Sequence, residues 1–411
     1  MSGKIQLWTA VFQKEFRAVF TLVFNSFSWF FPLFLFLNGT LNDLVEARVI
    51  DFGGLIIAYG LLYTAVAVSA IFGNFLSDKF GRNKLLLVWF IIGVVASVSM
   101  LMLSYQNVAF VYPVALIIGT SLGLGFPSCL AFFADHTSGG NRGLFGGFVF
   151  AVTFLGIFII GAATTLLGFV PSILVLVFWR FTGFLGFLYL RPKETRVEES
   201  STQPRTSYLN IVKQRTFLLY LVPWIMFCLI NFFAGPFFDK FTDTDIIQFG
   251  EFGIGGVSAL IAGYFSDIIG RKRLIIAAFV MVGIGYAVLS LSTTTPFVYA
   301  YALLDGIAWG IFMLMFFLVI WGEITEDRTR NRYYLFGNLP FILATYLAPI
   351  FSPIAGKSDL PVTAFTIASF FLFIAVIPLV YAPETLPEKT MKERALKSYV
   401  ELAQKIKEKQ T

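Results

Sequence analysis

The sequence predicts an all-α integral membrane protein with twelve transmembrane helices, and three observations carry this prediction. Of the 411 residues, 57% are hydrophobic and only 13% are charged, whereas soluble domains carry about 25% charged residues. Apolar runs long enough to cross a bilayer, which takes about 20 residues, recur along almost the whole chain. Lysine and arginine concentrate in alternate gaps between these runs, as they do in multi-span membrane proteins.

The apolar runs define the predicted helices in chain order. The first run is too long for the hydrophobic region of a secretory signal, and no small-residue cleavage site follows it, so we expect it to be retained as a helix. The predicted spans are residues 18–37, 52–76, 85–104, 108–134, 144–167, 169–190, 217–238, 246–266, 274–291, 297–322, 333–356 and 361–381.

The positive charges orient the chain, because cytoplasmic loops are enriched in lysine and arginine. Of the 30 such residues, only Arg48, Lys240 and Lys357 fall in predicted outer loops, and Arg180 falls within a span. Both termini are therefore predicted to be cytoplasmic, in a plasma membrane. The net charge of +6 then reflects topology and not nucleic-acid binding. The outer loop predicted before the second span holds Asn38-Gly39-Thr40, an N-glycosylation pattern.

The two halves of the sequence repeat each other, which predicts two pseudo-symmetric six-helix bundles. One shift lays GNFLSDKFGRNK (73–84) over AGYFSDIIGRKR (262–273). A second correspondence lays FFADHTSGGNRGLFGG (132–147) over WGEITEDRTRNRYYLFGN (321–338). Both pairs follow even-numbered spans, so all four segments are expected on the cytoplasmic side.

Polar segments set the predicted domain boundaries. The stretch 191–215 is the longest polar segment between spans and is predicted to be a cytoplasmic linker. It separates a bundle at 1–190 from a bundle at 216–383. The charged tail, 384–411, carries one apolar stripe at helical spacing and is predicted to be an amphipathic cytoplasmic helix.

The repeated loop resembles a known pattern, G-x-x-x-D-R-x-G-R-K, which is the signature loop of the major facilitator superfamily. The first copy departs from it at Asn74, where the family has glycine. The segments RPKET (191–195) and APETLPEK (382–389) also look like the P-E-T endings of sugar and metabolite porters in that family. The resemblance spans nearly the whole chain and implies the major facilitator fold and a transporter. The second copy fits the pattern at Gly263, Asp267, Gly270, Arg271 and Lys272.

The charges of the repeated loops are candidates for a cytoplasmic gate. In the family, such networks hold the two halves together on the inner side while the outer side is open; the alternative is that these charges serve topology alone. Within each half, two arginines are expected to gather around the acid that follows the fourth or tenth span, and the loop aspartate is expected near a helix amino terminus, which favours a carboxylate. The candidates are Asp78, Arg82, Asp135 and Arg142 in the first half, and Asp267, Arg271, Glu323 and Arg330 in the second.

Polar and aromatic residues within the spans are candidates for a substrate cavity, since polar residues in a bilayer are costly and usually face one. By the family's arrangement, the first, fourth, seventh and tenth helices line the cavity, beside the second, fifth, eighth and eleventh. Aromatic rings and amides suit a neutral or weakly polar organic solute. For Arg180, binding of an organic anion and a structural, snorkelling role stay open. The other candidates are Asn25, Ser28, Trp29, Tyr59, Tyr63, Trp224, Asn231, Trp309, Asn338 and Tyr346.

Asp305 and Glu251 are the only acids inside the predicted spans. Counted along their helices, they lie about 27 Å and about 24 Å from the inner surface. We expect them to face one cavity, with Asp305 as the proton-coupling site and Glu251 as its partner, because burial beside a like charge favours proton binding. The alternative is a structural acid. Asn25 stands near the position where many proton symporters of the sugar porter group carry an acid, which weakens proton symport.

The leading interpretation is a secondary active transporter of a sugar or organic acid that works by alternating access and proton symport. A multidrug or metabolite efflux antiporter and a uniporter are the alternatives. An enzyme is not expected, because His136 is the single histidine and no His/Cys/Asp cluster has metal-ligand spacing. Gly356-Lys357-Ser358 mimics the end of a phosphate-binding loop, but Phe351 occupies the upstream glycine position, so ATP is not expected to power the protein directly. No cofactor or metal is expected. The expected partners are the solute, protons and the bilayer, and the protein is expected to be a monomer.

Overall fold

The computed structural model describes residues 14–105, 107–192, 208–239, 244–325, 329–357 and 361–386. Within this part of the chain, 12 helices are long and apolar enough to cross a membrane, as the sequence predicts. We number them α1 (Lys14–Glu46), α2 (Phe52–Phe80), α3 (Arg82–Ser99, continued by a 3₁₀ turn at Met100–Tyr105), α4 (Val108–Gly123 and Phe126–Asp135), α5 (Arg142–Leu166), α6 (Phe169–Leu190), α7 (Arg215–Phe238), α8 (Thr244–Ile269), α9 (Arg271–Leu291), α10 (Thr295–Phe312, a π-helical segment Met313–Val319, and Ile320–Glu323), α11 (Arg330–Ala344 and Leu347–Lys357) and α12 (Pro361–Tyr381).

The helices pair identically in the two halves. In the first half, α2 packs along α4, α1 along α5 and α6, and α3 along α6. In the second half, α8 packs along α10, α7 along α11 and α12, and α9 along α12. The contacts between the halves follow the same pseudo-symmetry, because α5 packs against α8 and its counterpart α11 packs against α2, the counterpart of α8. The fold is thus the predicted pair of pseudo-symmetric six-helix bundles.

The crossing of α5 and α8 is a close approach of two backbones. A β-carbon on Gly147 would lie 2.5 Å from the Ala259 carbonyl oxygen. One on Gly263 would lie 2.9 Å from the Gly147 Cα and would also overlap the Gly143 carbonyl oxygen. Small residues allow this approach, as is common between membrane helices. The two halves therefore meet here through backbone atoms.

The first helix is longer than predicted, because α1 continues to Glu46 and leaves no outer loop at residue 38. The Asn38 side chain accepts a hydrogen bond from the Tyr59 hydroxyl at 2.9 Å, and the Thr40 hydroxyl donates to the Phe36 carbonyl. The glycosylation triplet was predicted in an exposed loop, and that location is wrong. The triplet lies within α1, and both of its polar side chains are hydrogen-bonded, that of Asn38 to α2 and that of Thr40 within α1.

Parts of two predicted segments lie outside the described residues. Of the predicted linker, 191–215, the structure describes its two ends, including a short helix at Tyr208–Lys213. Of the predicted amphipathic tail, it describes only residues 384–386. The proposed domain boundaries and the tail helix therefore stay predictions.

We call the end of the bundle at the α2–α3 and α8–α9 turns the motif end, and the opposite end the far end. Gly81 and Gly270 form these two turns with φ angles of 91° and 100°. Side chains other than glycine rarely adopt such angles. This is why the repeated loop needs a glycine directly before its arginine.

Candidate functional site

A cavity of about 280 Å³ lies between the two halves. Residues from α1, α2, α4 and α5 line it from one half, and residues from α7, α8, α10 and α11 line it from the other. These are the eight helices that the resemblance implied. Half of the lining residues are aromatic, among them Phe31, Phe34, Phe154 and Phe341. The site is therefore mainly apolar.

Glu251 on α8 is the one acidic residue in this lining, and no lysine, arginine or histidine of the described chain lines the cavity. Asp305 lies on the neighbouring helix α10 at the same level. A β-carbon on the next residue, Gly306, would be 3.3 Å from the Glu251 Cα, so the two helices touch at this level. The Asp305 side chain is buried, and its neighbours include Tyr301 and Trp309. Its Oδ1 accepts no hydrogen bond from the described residues. The structure thus brings together the two acids singled out in the sequence, although only Glu251 reaches the cavity.

Of the predicted cavity residues, Tyr63 and Trp309 line the cavity. Tyr59 and Tyr346 lie beside it toward the far end. The Tyr59 ring stacks on Tyr63 with a centroid distance of 6.3 Å, and the Tyr346 hydroxyl donates to the Ile56 carbonyl oxygen at 3.1 Å. This last bond joins the two halves at the far end.

The other predicted cavity residues of the first half point away from the cavity, and their assignment to it is wrong. The Asn25 amide donates to the Trp179 carbonyl oxygen at 2.7 Å. The Trp29 indole donates to Ser97 at 2.9 Å, and Ser28 accepts from the Trp179 indole at 3.0 Å. All three side chains pack within the first bundle. Helix α1 presents its phenylalanines to the cavity instead.

The corresponding residues of the second half are also misassigned. Trp224 is fully buried and stacks on Phe316 with a centroid distance of 4.4 Å. The Asn338 amide donates to the Tyr334 carbonyl oxygen of its own helix. Asn231 lies half-buried on α7 but does not line the cavity. The sequence prediction missed the phenylalanines that line the cavity. The chain has 50 phenylalanines, so residue type alone does not distinguish those in the lining from the others.

Arg180 neither binds in the cavity nor reaches a membrane surface. Its guanidinium is completely buried and lies over the rings of Trp29, Trp89 and Phe90, at 4.5, 4.5 and 4.2 Å from their centroids. Its Nη1 donates to the Ser26 hydroxyl at 3.0 Å. Three aromatic rings thus stabilise this cation inside the first bundle, and its prediction as a substrate residue is wrong.

Arg180→Lys is expected to lower the free energy of unfolding by about 2 kcal/mol, because an ammonium cannot stack on three rings as a flat guanidinium does. Binding of any accepted solute should stay unchanged. Thermal unfolding and solute binding of the purified protein, with Arg191→Lys at the end of the same helix as control, would check this. Weakened binding at unchanged stability would contradict the structural role.

Two acids at the motif end each bind arginines from both halves. Asp135, at the end of α4, accepts from Arg82 of its own half and from Arg330 of the other half at 2.6 Å. Its pseudo-symmetric counterpart, Glu323 at the end of α10, accepts from Arg271 of its own half and forms an ion pair with Arg142 of the other half.

The distances around Glu323 are 3.0 Å to Arg271 of its own half and 3.8 Å to Arg142 of the other half. The sequence prediction had grouped Arg142 with Asp135, and Arg330 with Glu323. That grouping is wrong, because α5 and α11, which begin at these arginines, pack against the opposite half. The exchanged arginines make each acid a link between the halves.

The network around Glu323 is the more deeply buried one. The side chains of Glu323 and Arg271 are 2% and 0% exposed, whereas that of Asp135 is 22% exposed. Arg271 also binds Asp267 at 2.6 Å and donates to the Gly139 carbonyl oxygen of the first half. Ion pairs with so little water contact are screened far less than surface pairs.

The two loop aspartates also bridge the halves. Asp267 accepts hydrogen bonds from the backbone N–H groups of Gly143 and Leu144, at 3.1 and 2.8 Å. Asp267 therefore caps the start of α5. A helix amino terminus was expected near this aspartate, but it is that of α5 in the opposite half and not that of α9, the next helix along the chain. Asp78 lies 3.7 Å from Arg332 at the start of α11.

Glu384 caps the start of α9 in place of the loop aspartate, and sequence reasoning missed this role. Its carboxylate accepts from the backbone N–H groups of Arg271 and Lys272, at 2.8 and 3.2 Å. The neighbouring Thr385 hydroxyl donates to Glu323 at 2.9 Å. The P-E-T ending at these residues was the feature of the sequence that could have indicated this role. Through Glu384 and Thr385, the segment after α12 is connected to the buried network around Glu323.

Comparison with known proteins agrees with this architecture. The profile described as Major Facilitator Superfamily matches residues 18–250 and 243–408. The structure of the proton:xylose symporter XylE bound to 6-bromo-6-deoxy-D-glucose superposes with a TM-score of 0.68 at 14% identity, over 90% of this chain and 96% of that chain. The human organic anion transporter MFSD10 (TETRAN) superposes with a TM-score of 0.67 at 16% identity, over 89% and 99%. A comparison with curated protein sequences gives no significant match. At these identities the likeness to solved structures concerns the fold alone.

Proposed function

Because this chain belongs to the major facilitator superfamily, we propose that it is a secondary active transporter that moves a small organic solute by alternating access, with Glu251 and Asp305 as its proton-coupling pair. The observation that carries this proposal is the position of Glu251 in an apolar cavity between the halves, on a helix that touches α10 at Gly306, next to buried Asp305. A buried carboxyl and a half-buried one on touching helices cannot both be charged at low cost. One of them therefore holds a proton until the site opens to water or receives another charge.

The networks at the motif end support alternating access. Asp135 and Glu323 each bind arginines of both halves, and Asp267 caps a helix of the opposite half. These contacts close the motif end in this structure. A rocking motion of one bundle against the other would separate them, which is how transporters built from two repeated bundles expose a central site to alternate sides. The motif end is the predicted cytoplasmic side.

The character of the cavity bears on the choice between solutes. A sugar has several hydroxyls, and each buried hydroxyl without a partner costs about 1–3 kcal/mol. The lining offers few polar partners, namely Tyr63, Glu251, Trp309 and Thr345. An organic acid would face Glu251 with no basic lining residue among those described. The cavity thus favours a largely apolar solute, which was the exporter alternative, over the sugar or organic acid.

Asp305→Asn tests the coupling role. A thermal-shift screen of the purified protein first identifies accepted solutes, and these are then followed in proteoliposomes under an imposed pH gradient. We expect accumulation driven by the gradient to be lost while counterflow exchange is preserved, because the amide keeps the size of the side chain but cannot exchange a proton.

Asp43→Asn is the matched control, since it makes the same change at an exposed residue near the far end of α1. It should accumulate solute like the wild type. If Asp305→Asn also accumulates solute at the wild-type level, Asp305 is not the coupling acid and the proton site lies elsewhere. A wild-type protein that shows no accumulation under the pH gradient would instead indicate a uniporter.

A further inference from the structure

The charge balance of the cavity indicates the charge of the solute, an inference that rests on the proposed function. Glu251 is the one acid in the lining, and no basic residue of the described chain lines the cavity. Two further acids lie close enough to act on it electrostatically, buried Asp305 on α10 and exposed Asp239 after the end of α7. Among the described residues, the further titratable groups that interact with this cluster are the hydroxyls of Tyr286 and Tyr301. None of these neighbours carries a positive charge.

The described ion pairs of the protein all lie at the motif end, and none includes one of these three acids. A carboxylate removed from water is costly unless a counter-charge or a proton neutralises it. The protein supplies no such counter-charge among the described residues around the cavity. A cationic solute would supply it.

The aromatic lining supports the same conclusion. Phenylalanine, tyrosine and tryptophan rings attract a cation placed over their faces, and aromatic sites of this kind recognise quaternary ammonium groups. Rings from both halves share the lining with Glu251. Phe252 follows it on α8, Trp309 lies on α10, and Phe31 and Phe34 come from the other half. The same rings would bury an apolar body, so charge and hydrophobicity are satisfied together.

We propose that the transported solute is a lipophilic organic cation, an amine or quaternary ammonium compound, whose positive charge pairs with Glu251 in exchange for a proton. When the cation binds, the Glu251 carboxyl loses its proton to water and the net charge of the cavity is unchanged. When the proton returns, the cation is released. Binding of the solute and of the proton are therefore mutually exclusive, which makes the protein an exchanger.

Equilibrium dialysis of radiolabelled tetraphenylphosphonium with the purified full-length protein tests this inference. We expect wild-type affinity to rise at least tenfold from pH 6 to pH 8. Glu251→Gln should bind at least tenfold more weakly and lose this pH dependence, whereas Glu251→Asp should keep both. Tetraphenylborate, an anion of the same shape, should not bind more weakly to Glu251→Gln than to the wild type.

Glu46→Gln is the control, because Glu46 lies exposed at the end of α1. Thermal unfolding of each variant shows that it is folded. The inference is overturned if Glu251→Gln, while folded, binds tetraphenylphosphonium like the wild type, or if the cation does not bind to the wild type at all.

The same experiments separate this inference from the proposed function. If tetraphenylphosphonium does not bind but the pH-driven accumulation of a neutral solute is lost in Asp305→Asn, the cationic solute is excluded and the coupling proposal stands. If tetraphenylphosphonium binds through Glu251 but is not carried into proteoliposomes, the cation site stands and the transport proposal fails.

Discussion

Glu323→Gln is expected to lower the free energy of unfolding by about 3–5 kcal/mol and to open the motif end, because the buried cluster of Arg271, Arg142, Asp267 and Glu323 then carries an uncompensated positive charge. Glu323 is the carboxylate between Arg271 and Arg142. Both guanidiniums are buried, so water cannot replace the lost interaction without separating the halves. The variant should therefore favour the state in which the motif end is open.

Thiol labelling measures this opening. The two native cysteines, Cys129 and Cys228, are buried, and a cysteine introduced at Leu314 would report on the interface between the halves. Leu314 is fully buried on α10, close to Gly146 of α5. A maleimide reagent should label Leu314→Cys much faster in the Glu323→Gln background, and thermal unfolding gives the loss of stability.

Asp135→Asn is the matched control, since Asp135 has the same place in the first half but is 22% exposed. Partly exposed ion pairs contribute about 0–1 kcal/mol, so this variant should change stability and labelling far less. If Asp135→Asn changed stability and labelling as much as Glu323→Gln, the buried network around Glu323 would not be the main contact that keeps the motif end closed.

Gly263→Val is expected to abolish transport by preventing closure of the motif end. A β-carbon at this position would lie 2.9 Å from the Gly147 Cα and would overlap the Gly143 carbonyl oxygen. These are backbone atoms of the opposite half, so they cannot rotate away as a side chain can. Overpacking of this kind typically costs about 1–3 kcal/mol. We expect the variant to avoid this cost by keeping α5 and α8 apart, which leaves the motif end open.

Solute exchange in proteoliposomes and labelling at Leu314→Cys measure the two consequences, namely lost transport and faster labelling. Gly253→Val on the same helix is the control, because a β-carbon there meets no atom within 4 Å. It should transport and label like the wild type. Normal transport by Gly263→Val would show that α5 and α8 need not approach this closely during the cycle.

The sequence alone was sufficient for the features that depend on position along the chain. Hydrophobicity summed over about 20 residues locates a span, and all twelve predicted spans correspond to helices of the described structure. The repeat of the loop motif predicts the two equivalent bundles. Depth also follows from the chain, because each helical residue advances about 1.5 Å. The prediction that Glu251 and Asp305 lie at a similar level agrees with the contact between their helices at Gly306.

Only the tertiary structure decided which face of each helix meets the cavity. Trp29 and Phe30 are neighbours in sequence, yet Trp29 is buried in the first bundle and Phe30 lines the cavity. In a soluble protein the apolar stripe of a helix marks its buried face. In a bilayer the faces toward lipid, toward other helices and toward this cavity are all apolar, so no periodic pattern separates them. The exchange of Arg142 and Arg330 between the halves has the same origin, because the repeat predicts which charges correspond but not which bundle each helix start packs against.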